Sequence, residues 1–228
     1  MIRIKYLESV GWMHALRGLR NPMRSWSKND SKEIIYYQTT NIPDSPCSNA
    51  KLTIGPNDLK LCKQLIKAGA SHRKFLRHIT IYCDITANLK FFDEFDTYLH
   101  VIKNSTSQMH TITKRDFTIE DFSNETHCPS ANRHMSKTIN VLNTLRKKYL
   151  VEEDTIIKKK VWRDMIEIMP QSYLYTRTIS LNYEVFFSMY HNRKNHKMSE
   201  WKTFCSTLRE QLPYMDEFLK VIEKRHGV

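Results

Sequence analysis

Asn182 and Arg193 stand eleven residues apart in the segment SLNYEVFFSMYHNRKNH, residues 180–196. At 3.6 residues per turn that is almost three turns, so both point along one helix face. Phe186 and Met189 lie between them on roughly that face, with Ser188 at its edge. An apolar stripe that starts with an amide and ends with a guanidinium has two readings. Either this is a core helix, capped by its Asn and closed by a cation that complements the helix dipole, or its polar ends meet a ligand.

Other reactive side chains do not assemble into a strong catalytic signature. There is no glycine-rich phosphate loop (the chain has five glycines), no nucleophile elbow and no paired CxxC. His72/His78, His127-Cys128/His134 and His191/His196 are the histidine groupings, and none has a recognised zinc spacing. No metal is therefore expected. Cys83 sits on the apolar side of an alternating segment and reads as a small core residue.

The chain has 228 residues, enough for one substantial core. Hydrophobic residues at 40% and charged residues at 26% exclude a disordered chain. No run approaches the roughly 20 apolar residues of a membrane span, and MIRIKYLESVGW lacks the apolar core of an export signal. The five cysteines, Cys47, Cys62, Cys83, Cys128 and Cys205, are odd in number and scattered, which points to reduced thiols and a cytoplasmic protein. A net charge of +12 attracts polyanions: nucleic acid, nucleotides or phosphorylated cofactors. Lys158-Lys159-Lys160 is the dense basic run, and charge alone does not separate these partners from ordinary solvated lysines.

The elements that position these residues read as mostly helix with a little sheet. Residues 10–24 predict a short helix stopped near Asn21-Pro22, and 39–58, with three prolines, a surface loop. A helix follows, capped by Asn57 or Asp58, with Leu59, Leu61, Cys62, Leu65 and Ile66 inward and Gly69 as its stop. ITIYCDIT, 79–86, alternates strictly and predicts a strand with one buried face. Further helices are expected over about 88–98, 131–149, 155–168, 181–193 and 199–211, the last closed by Pro213.

Three segments in succession carry a more specific pattern: NDLKLCKQLIKAGASHRKFLRH (57–78) with its strand, KNSTSQMH (103–110) and MPQSYLYTRTISLNYEVFFSMYHNRKNH (169–196). Together, over about residues 57–196, they resemble the flavin-dependent thymidylate synthases, the ThyX family. His72 and His78 bound HRKFLRH at the spacing of that family's two histidines, and Ser107 falls at its signature serine. Pro170 to Asn182 is twelve residues and Asn182 to Arg193 eleven, as in the family's C-terminal pattern. Arg20 and Ser25 add a weaker echo of an Arg followed by a flavin-contacting Ser.

The resemblance implies an α+β fold, a mostly helical protomer with a small sheet. It implies one domain over 1–228, with 39–56 as a surface loop, assembled as a homotetramer with shared sites. It implies FAD-dependent, thymidylate-synthase-like methyl or one-carbon transfer to a pyrimidine deoxynucleotide such as dUMP, with NADPH and methylene-tetrahydrofolate as co-substrates. On this basis His72, Asn182, His196 and Ser25 are candidate flavin contacts, and Glu94, Lys103, Ser105 and Ser107 candidate substrate contacts. Arg193 is the candidate catalytic residue, a donor to the carbonyl edge of the pyrimidine that stabilises enolate-like charge as the ring carbon becomes nucleophilic.

The chain departs from the family where the Arg-His-Arg signature falls on Thr97, Tyr98 and Leu99. The arginine after the signature serine is Met109, the motif's Glu is Ser105, and the Arg two residues beyond the C-terminal Asn is Glu184. In the family the signature arginines grip the phosphate. Spacing selects none of Lys103, His110, Lys114 or Arg133 as their substitute. Simpler readings stand beside each assignment: His72 as a solvated turn residue, Ser107 as part of a polar loop, Phe91-Phe92 as core. The alternative function is a catalytically inactive homologue that binds nucleotide or nucleic acid through its basic surface. A third, metal-dependent hydrolysis, finds little support in the spacing.

Overall fold

The computed structural model describes residues 1–37, 48–125 and 128–223. In chain order its elements are β1 (Arg3–Val10), α1 (Trp12–Gly18), β2 (Lys32–Tyr37), β3 (Ser48–Thr53), α2 (Pro56–Ala68), β4 (Thr80–Asn88), α3 (Leu89–Phe95) and β5 (Ile102–Ser105). There follow α4 (Gln108–Thr111), α5 (Pro129–Val151), α6 (Thr155–Glu167), β6 (Leu174–Asn182), α7 (Tyr183–Arg193), α8 (Ser199–Gln211) and α9 (Met215–Glu223). One sheet has the order β1-β4-β6-β5, and β2 pairs antiparallel with β3, Lys32 opposite Thr53 and Tyr37 opposite Ser48. The fold is α+β, mostly helical with a small sheet, as expected. No helix among the described residues is long and apolar enough to cross a membrane.

The chain forms two compact units: residues 1–3, 85–97 and 104–178, and residues 4–84, 98–103 and 179–228. In the first, α5 places Met135, Ile139 and Leu142 at i, i+4 and i+7, so one stripe faces Met165 of α6 and the rings of Phe117 and Phe122. Full burial of each such side chain contributes about 1.5–3 kcal/mol. The Asn143 amide fixes the loop beneath it, accepting the Phe117 N–H (2.8 Å) and donating to the Phe117 carbonyl (3.0 Å). Asp154 caps α6 through the Ile156 and Ile157 N–H groups, and Asn88 caps α3 through Phe91 N–H. Phe91, Phe92 and Phe95 are all buried, which gives the core reading of the Phe91-Phe92 pair.

In the second unit α7 and α8 each bury an i, i+3, i+4, i+7 stripe: Tyr183, Phe186, Phe187 and Tyr190, and Trp201, Phe204, Cys205 and Leu208. Gly11 starts α1 at φ +91°, and a Cβ there would lie 2.3 Å from the His78 carbonyl oxygen, so only glycine fits. The Tyr183 N–H donates to the Ile79 carbonyl (3.0 Å), tying the start of α7 to the residue before β4. Cys62, Cys83, Cys128 and Cys205 are free thiols; burial pushes the Cys62, Cys83 and Cys205 thiols up to about 12. Cys47 and His127 lie outside the described residues.

The segment 39–58 is not all loop, because β3 occupies 48–53. Pro43 and Pro46 precede that strand and Pro56 follows it, so none interrupts its ladder; residues 38–47 are not described. Gly55, not Asn57 or Asp58, is the N-cap of α2, and Pro56 takes the first turn. Asp58 turns inward instead and is fully buried. The helix expected from 88 ends at Phe95, and the one expected from 181 begins at Tyr183, because Leu181 and Asn182 complete β6.

Candidate functional site

Asn182 is the last residue of β6 and the N-cap of α7, where its Oδ1 accepts the Val185 N–H at 3.0 Å. Phe186 and Met189 behind it are fully buried, and Ser188 is exposed. The amide that opens the stripe is therefore a cap. The guanidinium that ends it is not a loose solvated cation. Arg193 Nε donates to Tyr98 Oη (3.0 Å), and Nη1 lies 3.1 Å from His196 Nε2. The guanidinium carbon sits 4.9 Å from the ring centre of Trp201, which is buried, and 5.7 Å from that of Tyr98. Contacts of this kind contribute about 0.5–2 kcal/mol, the more as water is excluded. His196 Nδ1 faces the Met198 N–H at 3.3 Å, so both its ring nitrogens are turned to neighbours. Arg193 thus rests half-buried in a box of Tyr98, His196 and Trp201, its plane and direction fixed.

The turn before β4 carries His72, which is exposed, with its N–H donating to the Gly69 carbonyl (3.0 Å). The next residue, Arg73, clamps that turn to the first turn of α7. Its Nε lies 2.8 Å and its Nη2 3.0 Å from the two Glu184 oxygens, and its guanidinium stacks 4.5 Å from the centre of Phe187. This ion pair binds His72's neighbour to a residue two positions after Asn182, and it gives Glu184, where the family pattern has Arg, a structural partner. Ser25 is half-buried beside the buried Arg20: its N–H donates to the Arg20 carbonyl (3.2 Å), and its own carbonyl accepts from Arg20 Nη1 (3.4 Å).

His72, Asn182, Arg193, His196, Ser25 and Lys103 all belong to the second unit; Glu94, Ser105 and Ser107 belong to the first. Glu94 lies half-buried near the end of α3, Lys103 and Ser105 are exposed on β5, and Ser107 precedes α4, its carbonyl accepting the Thr111 hydroxyl (2.7 Å).

The first unit also holds a cavity of about 540 Å³. Its sheet side carries Thr86, Thr106 and Thr176; Gln108, Tyr173 and Lys114 line it from other elements. Arg115 pairs with Asp121 at its edge. Burial pushes the Asp121 carboxyl up, but the Arg115 hydrogen bonds and the Thr118 N–H outweigh this and hold it below the ordinary carboxylate range. A depressed carboxylate adds stability that is fully present above its unfolded pKa and is lost as pH falls through the folded value. Thermal melts across acidic pH should therefore show a shallower acid-side loss for Asp121→Asn than for the parent. Equal slopes would contradict this.

Sequence reasoning missed Tyr98, Trp201, Arg73 and Gln108. Tyr98 carried a signal, since it stands at the centre of the displaced signature; the other three are placed only by tertiary contacts. Among the described residues, no group of three or more His, Cys, Asp or Glu side chains could hold a metal ion.

No protein-family model matches the chain, and no curated protein matches it in sequence. Solved structures do match in fold. Thymidylate Synthase X (ThyX) from Helicobacter pylori with FAD and dUMP is 14% identical, over 96% of this chain and 97% of that one, with a TM-score of 0.67. A second structure of flavin-dependent thymidylate synthase ThyX from Helicobacter pylori, complexed with FAD and dUMP, is 14% identical over 95% of this chain and 97% of that one, with a TM-score of 0.65. The chain therefore has a ThyX-like fold.

Proposed function

We propose that this protein is a diverged member of the flavin-dependent thymidylate synthases, lacking the Arg-His-Arg signature, and that it modifies the ring carbon of a pyrimidine deoxynucleotide such as dUMP. The observation that carries this reading is the fold likeness, across nearly the whole chain, to two ThyX structures with FAD and dUMP. The box around Arg193 supports it independently, because a guanidinium held in place by Tyr98, His196 and Trp201 is a pre-organised donor.

In this reading Arg193 donates to a ring carbonyl and stabilises negative charge on that oxygen as the ring carbon becomes nucleophilic. Tyr98 and Trp201 orient it, and His196, also a proposed flavin contact, backs it. Asn182 spends its Oδ1 on the helix cap, which leaves its amide N–H donors for a ring carbonyl. The exposed His72 and the Ser25 hydroxyl are the other proposed flavin contacts. Bound FAD would supply hydride and one-carbon relay chemistry. Glu94, Lys103, Ser105 and Ser107 contact the nucleotide, NADPH and methylene-tetrahydrofolate are the co-substrates, and a cytoplasmic homotetramer of single-domain chains is the working form.

The test is product formation. Protein supplied with FAD, NADPH, methylene-tetrahydrofolate and dUMP should yield dTMP, detected by chromatography. A flavin-loaded protein that makes no dTMP would contradict the transfer reaction.

A further inference from the structure

Helix α5 carries five cations, Arg133, Lys137, Arg146, Lys147 and Lys148, and no Asp or Glu in its 23 residues. Its apolar stripe, Met135, Ile139 and Leu142, is buried in the core of the first unit, so the opposite face is turned to solvent. Arg146 is drawn inward, donating to the Thr113 carbonyl (3.1 Å) and to Asp116 (2.6 Å). The other four cations are exposed and have no ion-pair partner among the described residues. At 3.6 residues per turn they fall on one outer stripe, and Arg133 to Lys148 spans about 22 Å along the axis. Asn140 and Thr144 lie between them on that stripe, both exposed. Where α5 ends, Lys158 of α6 donates to the Glu152 carbonyl (3.0 Å) and sits over the Tyr149 ring. That brings the start of α6, with the exposed Lys159 and Lys160, to the same end of the hairpin. The acids of the hairpin lie off the stripe, in the turn at Glu152, Glu153 and Asp154 and on α6 at Asp164 and Glu167.

A row of unpaired cations separated by hydrogen-bonding side chains fits a polyanion, and the chemistry of the face selects which. A bilayer needs an apolar face to insert among the cations, and α5 buries its own in the core. The exposed Leu150, Val151 and Ile156 beside the turn are flanked by Glu152, Glu153 and Asp154, charges that a bilayer core rejects. A protein partner needs an apolar centre, and here the stripe has only Val141 at its edge. A second copy of the face would bring the same charge. A phosphodiester backbone needs only cations at intervals with amide and hydroxyl groups between, because phosphate contacts supply affinity without reading bases. We propose that the outer face of α5 binds the phosphate backbone of a nucleic acid without base-sequence preference, through Arg133, Lys137, Lys147 and Lys148. None of the four is among the flavin or substrate contacts proposed above, so this surface stands whether or not the transfer reaction does.

The test is fluorescence anisotropy of the full chain with a labelled DNA duplex, its single strand and an RNA duplex, each in two unrelated sequences, over a series of salt concentrations. Lys137→Gln with Lys148→Gln removes two charges from the stripe, and Lys60→Gln with Lys202→Gln removes two exposed charges elsewhere. Glutamine keeps the helix propensity of lysine, so both double variants should melt with the parent. The parent should bind at least one of the three forms, equally for both sequences, with affinity falling as salt rises. The stripe variant should bind about tenfold or more weakly at about 0.1 M salt, and its salt slope should flatten by about 1.4–1.8, at about 0.7 (single strand) to 0.9 (duplex) per phosphate contact. The control variant should keep the parent's slope. A parent that binds none of the three, or equal losses in the two variants, would overturn the proposal. So would binding to phosphatidylserine vesicles, lost in the stripe variant, by a chain that ignores nucleic acid.

Discussion

Replacing Arg193 with alanine is expected to lower kcat by about two to three orders of magnitude, the range measured for loss of one pre-organised oxyanion donor. The expectation follows from how the residue is held. Nε is committed to Tyr98 Oη and Nη1 faces His196, so the guanidinium cannot swing freely, and Trp201 beneath it keeps the plane. A donor fixed before the reaction pays no reorganisation when charge develops, so its loss should fall on kcat more than on KM. Arg193→Lys should recover little, because an ammonium is a point charge that neither stacks as a plane nor reaches Tyr98 and a ligand together. Stability should fall far less than activity, by about 1–3 kcal/mol, as the helix-end cation and its stacking on Trp201 are lost. Steady-state kinetics with a melting control would check both halves. A kcat within a factor of a few of the parent would remove Arg193 from the chemistry.

The second large effect concerns the fold. Asp58→Ala should destabilise the protein by about 3–5 kcal/mol, the cost of breaking a buried ion pair from one side. Arg20 is 3% exposed and Asp58 fully buried. Arg20 Nε and Nη2 both lie 2.6 Å from Asp58 Oδ1, while Oδ2 accepts the Ser31 hydroxyl (2.6 Å) and the Asp30 N–H (3.2 Å). Removing the carboxylate strands a buried cation and orphans two donors. Against a usual total of about 5–15 kcal/mol, that brings the chain near unfolding. The double variant Arg20→Met with Asp58→Leu should be less destabilised than Asp58→Ala, since both charges then leave together. Urea denaturation at constant slope would measure this. A loss under about 1 kcal/mol for Asp58→Ala would contradict it.

That buried pair also marks where sequence reading stopped. Asp58 beside Asn57 looked like a cap, and nothing local signals that a residue 38 positions away neutralises it. β4 was legible because Ile79, Ile81, Cys83 and Ile85 alternate without exception, and every one is buried. α5, α6 and α8 were legible from helical periodicity over long stretches. β6 was not: only its C-terminal end alternates, with Ile179 and Leu181 buried and the earlier residues half-buried or exposed, so the strand has little one-sided pattern to read. α9 was hidden behind Pro213, which ends one helix while Tyr214, at φ +59°, redirects the chain into the next.

The same division runs through the site. The Asn182–Arg193 interval lies within one helix and its cap, so spacing alone could find it. The groups that give Arg193 its direction do not, since Tyr98 is 95 residues away.

Flavin dependence can be measured directly. Protein purified natively, mixed with FAD and separated from free flavin, should carry the visible flavin band at near one equivalent per chain. A colourless protein that refuses added FAD would contradict the enzyme reading and leave a ThyX-shaped chain that binds nucleotides or nucleic acid without redox chemistry.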